Sequence, residues 1–141
     1  MKNYEFFPHT ADAKFQAYGK TLEEAFENAA YAMTDIITDH TKLEEVTRER
    51  IKISSENTES LLYDFLEQLI ILLDTKKFML HEVKDMNILE KKNHLVLTAT
   101  VLGDNRPGDY AIKTAIKAVT YQEMFVKRGK DGWVLQVVVD I

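Results

Sequence analysis

The chain contains no cysteine in 141 residues. That absence excludes disulfides, thiolate zinc sites, iron–sulfur clusters and cysteine nucleophiles together. No apolar run has membrane length: the most apolar stretch, Leu69–Leu73, is far too short to cross a bilayer. The opening MKNYEFFPHTAD lacks the apolar segment of a secretory signal. There is no GxxxxGK[ST], no GxGxxG, no HExxH and no GxSxG, so no self-contained nucleotide loop, zinc helix or serine elbow is expected. Repeats, low-complexity tracts and linkers are also lacking. Lys plus Arg is 18 against 23 Asp plus Glu, a net charge of −5. Such a chain repels phosphate backbones unless its cations cluster. What is present is a globular balance, 45% hydrophobic and 29% charged, at the size of one core. A single cytoplasmic domain over 1–141 is the expectation.

Periodicity predicts the elements. Tyr4 and Phe6, then Phe15 and Ala17, alternate in two short strands separated by a loop at Pro8, which has no amide to give a ladder. Thr21 opens a helix over 21–38, its hydroxyl taking the Glu24 amide while Glu24 reaches back to the Thr21 amide. Leu22, Ala25, Phe26, Ala29, Ala30, Met33, Ile36 and Ile37 form its buried stripe. Ile51 and Ile53 mark a short strand. Asn57 or Thr58 caps a second helix, whose stripe runs from Leu61 to Leu73, with Lys76 and Lys77 near its negative pole. Residues 81–90 carry a weak strand signal and 95–102 a strong one. NRPGD (105–109) is a turn cluster. Residues 111–118 fit helix or strand equally. Gly129 to Gly132 joins two further strands. Trp133–Val139 is apolar on both faces and belongs in the middle of a sheet. The expected class is α+β: a largely antiparallel sheet with two helices packed on it.

Three stretches hold polar groups that plain strands do not need. The loop His9-Thr10-Ala11-Asp12 reads as a turn closed by local hydrogen bonds or as a site. At the other end of the sequence, Asp140 and the carboxylate of Ile141 follow a very apolar strand. Two close carboxylates repel unless a proton or cation lies between them, and oxygen-only ligands favour Ca²⁺, Mg²⁺ or Mn²⁺; a solvated strand end is the plain alternative. Lys117, among apolar neighbours, either meets anions or simply extends into water. His9, His40, His81 and His94 lack ligand spacing.

These stretches, with GKTLEEAFENAA (19–30), KAVTY (117–121), Gly132-Trp133 and the ending Val138-Val139-Asp140-Ile141, resemble the archease family from first residue to last. The resemblance implies an accessory protein rather than an enzyme. It implies an activator of the RtcB-type RNA ligase of tRNA splicing, promoting its guanylylation and multiple turnover. It also implies a metal site at Asp12, Asp140 and Ile141, with Ca²⁺ foremost, and a functional lysine at Lys117. tRNA would be met only indirectly, through the ligase, and no membrane is involved. A chaperone-like role beside a tRNA methyltransferase is the alternative. A metal-dependent hydrolase using the same carboxylates is a further rival, without an evident base or nucleophile. The chain departs from the family pattern at Gln68 and Ala115, where relatives carry glutamate, and at Gln122, where many carry histidine.

Overall fold

The computed structural model describes residues 2–8 and 11–141. Among the described residues, seven strands divide between two antiparallel sheets. Strands β1 (Tyr4–Phe7), β2 (Asp12–Gly19), β6 (Ala118–Gly129) and β7 (Gly132–Asp140) form one sheet in the order β1-β2-β7-β6. Strands β3 (Thr47–Ser55), β4 (Met79–Glu90) and β5 (Leu95–Asp104) form the other in the order β3-β5-β4. Helix α1 (Leu22–Ile37) packs on β2, β4 and β7, and α2 (Thr58–Lys76) on β6, β3, β4 and β5. The helices therefore bridge the two sheets. One apolar cluster runs through both, from Phe15, Val137 and Val139 through Phe26 and Phe65 to Leu97 and Val101. The expected α+β, antiparallel, two-helix class is what the structure has, although the strands split into two sheets.

Strand β7 lies between β2 and β6, with Leu135, Val137, Val138 and Val139 fully buried. A strand buried on both faces needs no polar alternation, which is why this stretch reads as a continuous apolar run. Phe26 and Phe65 stack at 6.2 Å where the helices meet the core. Each fully buried side chain of this size contributes about 1.5–3 kcal/mol of transfer free energy.

The helix starts refine the sequence reading. Thr21 Oγ1 accepts from the Glu24 amide at 3.1 Å, but the Glu24 carboxylate takes the Lys20 amide at 3.3 Å rather than that of Thr21. The β2–α1 junction is tight: a Cβ on Gly19 would lie 2.3 Å from the Ala25 nitrogen. The chain folds back onto the helix start and presents Lys20 there. Helix α2 has the reciprocal arrangement, Asn57 with Ser60.

Of the ambiguous stretch 111–118, residues 111–117 are neither helix nor strand, and Ala118 opens β6. The 111–117 segment is tied to the end of α1: the Lys113 amide donates to the Ile37 carbonyl at 2.7 Å, and Thr38 Oγ1 donates to the Ala111 carbonyl at 2.7 Å. Lys113 Nζ also donates to the Asp35 carbonyl, a cation at the negative pole of the helix.

Candidate functional site at the end of the four-stranded sheet

Asp12 is the first residue of β2 and Asp140 the last of β7, and they are direct partners in the ladder. Ala118, the first residue of β6, faces Asp140 from the other side. The Lys117 amide donates to the Asp140 carbonyl at 2.8 Å. Asp12, Lys117 and Asp140, read from distant parts of the sequence, thus meet at one sheet end, with Ile141 one residue beyond. Residues opposite one another in an antiparallel pair share a face, with Cβ atoms about 4.5–5.5 Å apart. Phe15, Val137 and Val139 point to the helices, so by alternation Asp12 and Asp140 occupy the opposite face. Asp12 is half-buried, and Lys117, Asp140 and Ile141 are exposed. His9 and Thr10 lie outside the described residues.

The sequence reading missed what frames this pair. In β6 the register jumps: Thr120 faces Val138, but Phe125 faces Gln136, so residues 121–124 oppose Val137 alone. A bulge of this kind bends a strand and re-aims its side chains. Glu123, inside it, has φ 54° and forms an ion pair with Lys14 of β2 at 3.1 Å. The near-buried Gln136 donates from Nε2 to the Glu123 carbonyl at 2.8 Å. Thr120 Oγ1 donates to the Val138 carbonyl and accepts from the Gln122 amide. Tyr121, itself exposed, stacks on Tyr63 of α2 at 4.3 Å, nearly parallel. Of the departures from the family pattern, Gln122 falls in this bulge, Ala115 in the 111–117 tether and Gln68 half-buried on α2.

Ala11, immediately before Asp12, has φ 62°. Left-handed backbone in non-glycine residues costs about 1–2 kcal/mol, and such strain collects at functional sites. Of the four non-glycine positions with positive φ among the described residues, Ala11 precedes Asp12 and Glu123 pairs with Lys14, two residues further along β2. The other two end α2 at Lys77 and bend β4 at Asp85.

A second group with metal-type ligands, Asp35, Asp39 and His40, lies where α1 ends. Its carboxylates serve the fold. Asp35 Oδ1 accepts from the His40 amide at 2.9 Å and lies 2.7 Å from His40 Nδ1, while Oδ2 accepts from the Tyr4 hydroxyl. Asp39 caps the next turn by accepting from the Thr41 amide and hydroxyl. Burial alone would raise the Asp35 pKa, but the bonds from His40 and Tyr4 outweigh it and hold the carboxyl below its usual range.

A model of the Archease protein family matches residues 4–141. The chain belongs to the archease family. A protein named archease from Methanosarcina barkeri is 44% identical over 141 residues, covering 99% of this chain and 97% of that protein. The solution structure of a Methanobacterium thermoautotrophicum protein is 39% identical, covers 100% of both chains and superposes with a TM-score of 0.87. The crystal structure of a Thermotoga maritima protein, called an archease and possible chaperone, covers 96% of this chain and 94% of its own. At 23% identity and a TM-score of 0.59 it shares the archease fold. Among the described residues, no helix is long and apolar enough to cross a membrane.

Proposed function

We propose that this archease is an accessory protein without a reaction of its own, which activates an RtcB-type RNA ligase by promoting its guanylylation and multiple turnover. The reading is supported most by the pairing of Asp12 with Asp140 across the ladder, beside Lys117, with left-handed backbone at Ala11 and in the β6 bulge. Two carboxylates on adjacent strands repel. A cation joining them would offset that repulsion, and an oxygen-only donor set suits a hard one.

Asp12, Asp140 and a main-chain oxygen of Ile141 would hold a divalent cation, Ca²⁺ foremost, with Mg²⁺ or Mn²⁺ as alternatives. When bound, that ion supplies positive charge that lowers repulsion along phosphates. The protein's own residues do the rest. Glu123 and Lys14 hold the β6 bulge over the outer face of β7 beside the carboxylates. Lys117 brings a cation to the rim. The stacked Tyr63 and Tyr121 form a rigid shoulder for the ligase to rest against.

The test has three arms: the protein alone on phosphate esters, with an RtcB-type ligase and labelled GTP, and with a tRNA methyltransferase. Faster GMP incorporation into the ligase, with no turnover by the protein alone, is the expected result. Hydrolysis without a partner overturns the reading. So does an effect confined to the methyltransferase.

A further inference from the structure

The outer face of the three-stranded sheet carries a charge pattern that the Asp12–Asp140 site does not use. Ile51, Leu97, Ala99 and Val101 point into the core, so by alternation Arg48, Arg50 and Lys52 of β3 point away from it. The ladder sets them in rows. Arg50 faces Thr100, which faces Lys84; Lys52 faces Thr98, which faces Asn87; Arg48 faces Leu102, which faces Glu82. Arg48, Arg50, Lys52, Lys84 and Asn87 are exposed. Arg50 Nη1 donates to Thr100 Oγ1 of the neighbouring strand at 2.9 Å. Glu45 engages Arg48 at 3.2 Å, and Asp85 lies in the bulge next to Lys84. Among the described residues, no carboxylate is ion-paired with Arg50, Lys52 or Lys84. In a chain of net charge −5, this is the local clustering of cations without which such a chain repels phosphate backbones.

We propose that this face contacts the phosphodiester backbone of single-stranded RNA. Alternate residues of a strand recur about every 6.8 Å, so β3 offers a regularly spaced row of cations suited to a regular polyanion. Arginine matches phosphate oxygens with two donors at once. In two of the rows the middle residue is a hydroxyl, Thr100 and Thr98, and Asn87 ends the second with an amide; each of these groups can both donate to and accept from a ribose 2′-hydroxyl. No aromatic ring lies in these rows, so bases are not stacked and recognition is independent of sequence. An acidic peptide lacks the ribose that the central row fits. RNA is then met directly, not only through the ligase. The proposal does not rest on the ligase reading, because guanylylation requires no RNA.

Cations on the edge strand β3 also discourage edge-to-edge pairing, and the test separates the two roles. An end-labelled oligouridylate is titrated by fluorescence anisotropy at several salt concentrations. With about four phosphate contacts, affinity falls about 50-fold between 50 and 200 mM salt. The variant Arg50→Glu/Lys52→Glu/Lys84→Glu loses at least about tenfold in affinity and flattens the salt slope. Lys91→Glu/Lys127→Glu/Lys130→Glu, with the same change in net charge on the hairpins, keeps the affinity. Circular dichroism and elution volume confirm that both variants fold and stay dispersed, and both still accelerate guanylylation if the ligase reading holds. The proposal is overturned by equal losses in the two variants, by displacement of the RNA by polyglutamate at matched charge, by aggregation of the first variant with RNA affinity intact, or by no binding at low salt.

Discussion

Asp12 and Asp140 are the residues on which the account turns, and their opposition makes a signed prediction. Without divalent cation, Asp140→Asn relieves repulsion, so its melting temperature equals or exceeds that of the wild type. With Ca²⁺ at a hundredfold excess over its dissociation constant, the wild type gains about 2.7 kcal/mol and the variant gains much less. Thermal melts with and without CaCl₂ check both halves. A buried carboxylate at the other end of the scale is Asp104, which is fully buried and accepts from the Arg106 amide, its guanidinium and the Tyr110 hydroxyl. The Arg106 bonds lower its pKa from 3.8 to about 2. A carboxyl with a depressed folded-state pKa adds stability above its unfolded value and loses it as pH falls toward the folded one. Asp35 acts in the same direction. Stability therefore declines from about pH 4 toward pH 2, and Asp104→Asn, already destabilised at pH 7, shows a shallower decline in melts across that range. Asp140 stood out in the sequence as a polar residue ending an apolar strand and Asp12 as a polar residue of the loop 9–12, and only the family resemblance joined them. Glu123 and Lys14 were not legible, since their meeting depends on a register jump that only the paired strands reveal.

Elements with uninterrupted periodicity were legible, and those broken by bulges were not. Both helices announce themselves through apolar stripes and cap residues, and Asn57→Ala should cost about 1 kcal/mol in denaturant melts. Strand β4 has a weak signal because its register shifts twice, between Leu80 and Glu82 and between Lys84 and Asn87, so core residues do not alternate. The stretch 111–117 reads ambiguously because its partners are the carbonyls and side chains of a helix end rather than a ladder. The β6 bulge depends on Gln136, whose side chain bonds Glu123 on one side and Gln16 on the other. Gln136→Met keeps the volume but leaves these groups without a partner, at a cost of about 1–3 kcal/mol. Because the bulge holds Glu123 beside the site, hydrogen exchange quickens at residues 121–124 and ligase activation falls in the same variant. Unchanged exchange there would mean that the bulge is held by the Tyr63–Tyr121 stack instead.

At the scale of the molecule, the division into two sheets was the least legible feature. Hairpins at each end of the chain announce antiparallel pairing, but which hairpin neighbours which is set by long-range contacts that local periodicity does not encode. The β2–β7 pairing, across nearly the whole chain, is also what creates the site by closing Asp12 against Asp140. The two helices, each touching both sheets, keep that sheet end fixed relative to the basic outer face of β3 and β4. The protein thus presents a carboxylate pair at one place and a row of cations at another. The most direct test of the central claim is the initial rate of GMP incorporation into an RtcB-type ligase, measured with the wild type, Asp12→Asn, Asp140→Asn and Lys117→Ala, each verified as folded by circular dichroism. The expected result is acceleration by the wild type, and loss of most of that acceleration in all three variants at unchanged helix content. Full acceleration by Asp12→Asn and Asp140→Asn would contradict it.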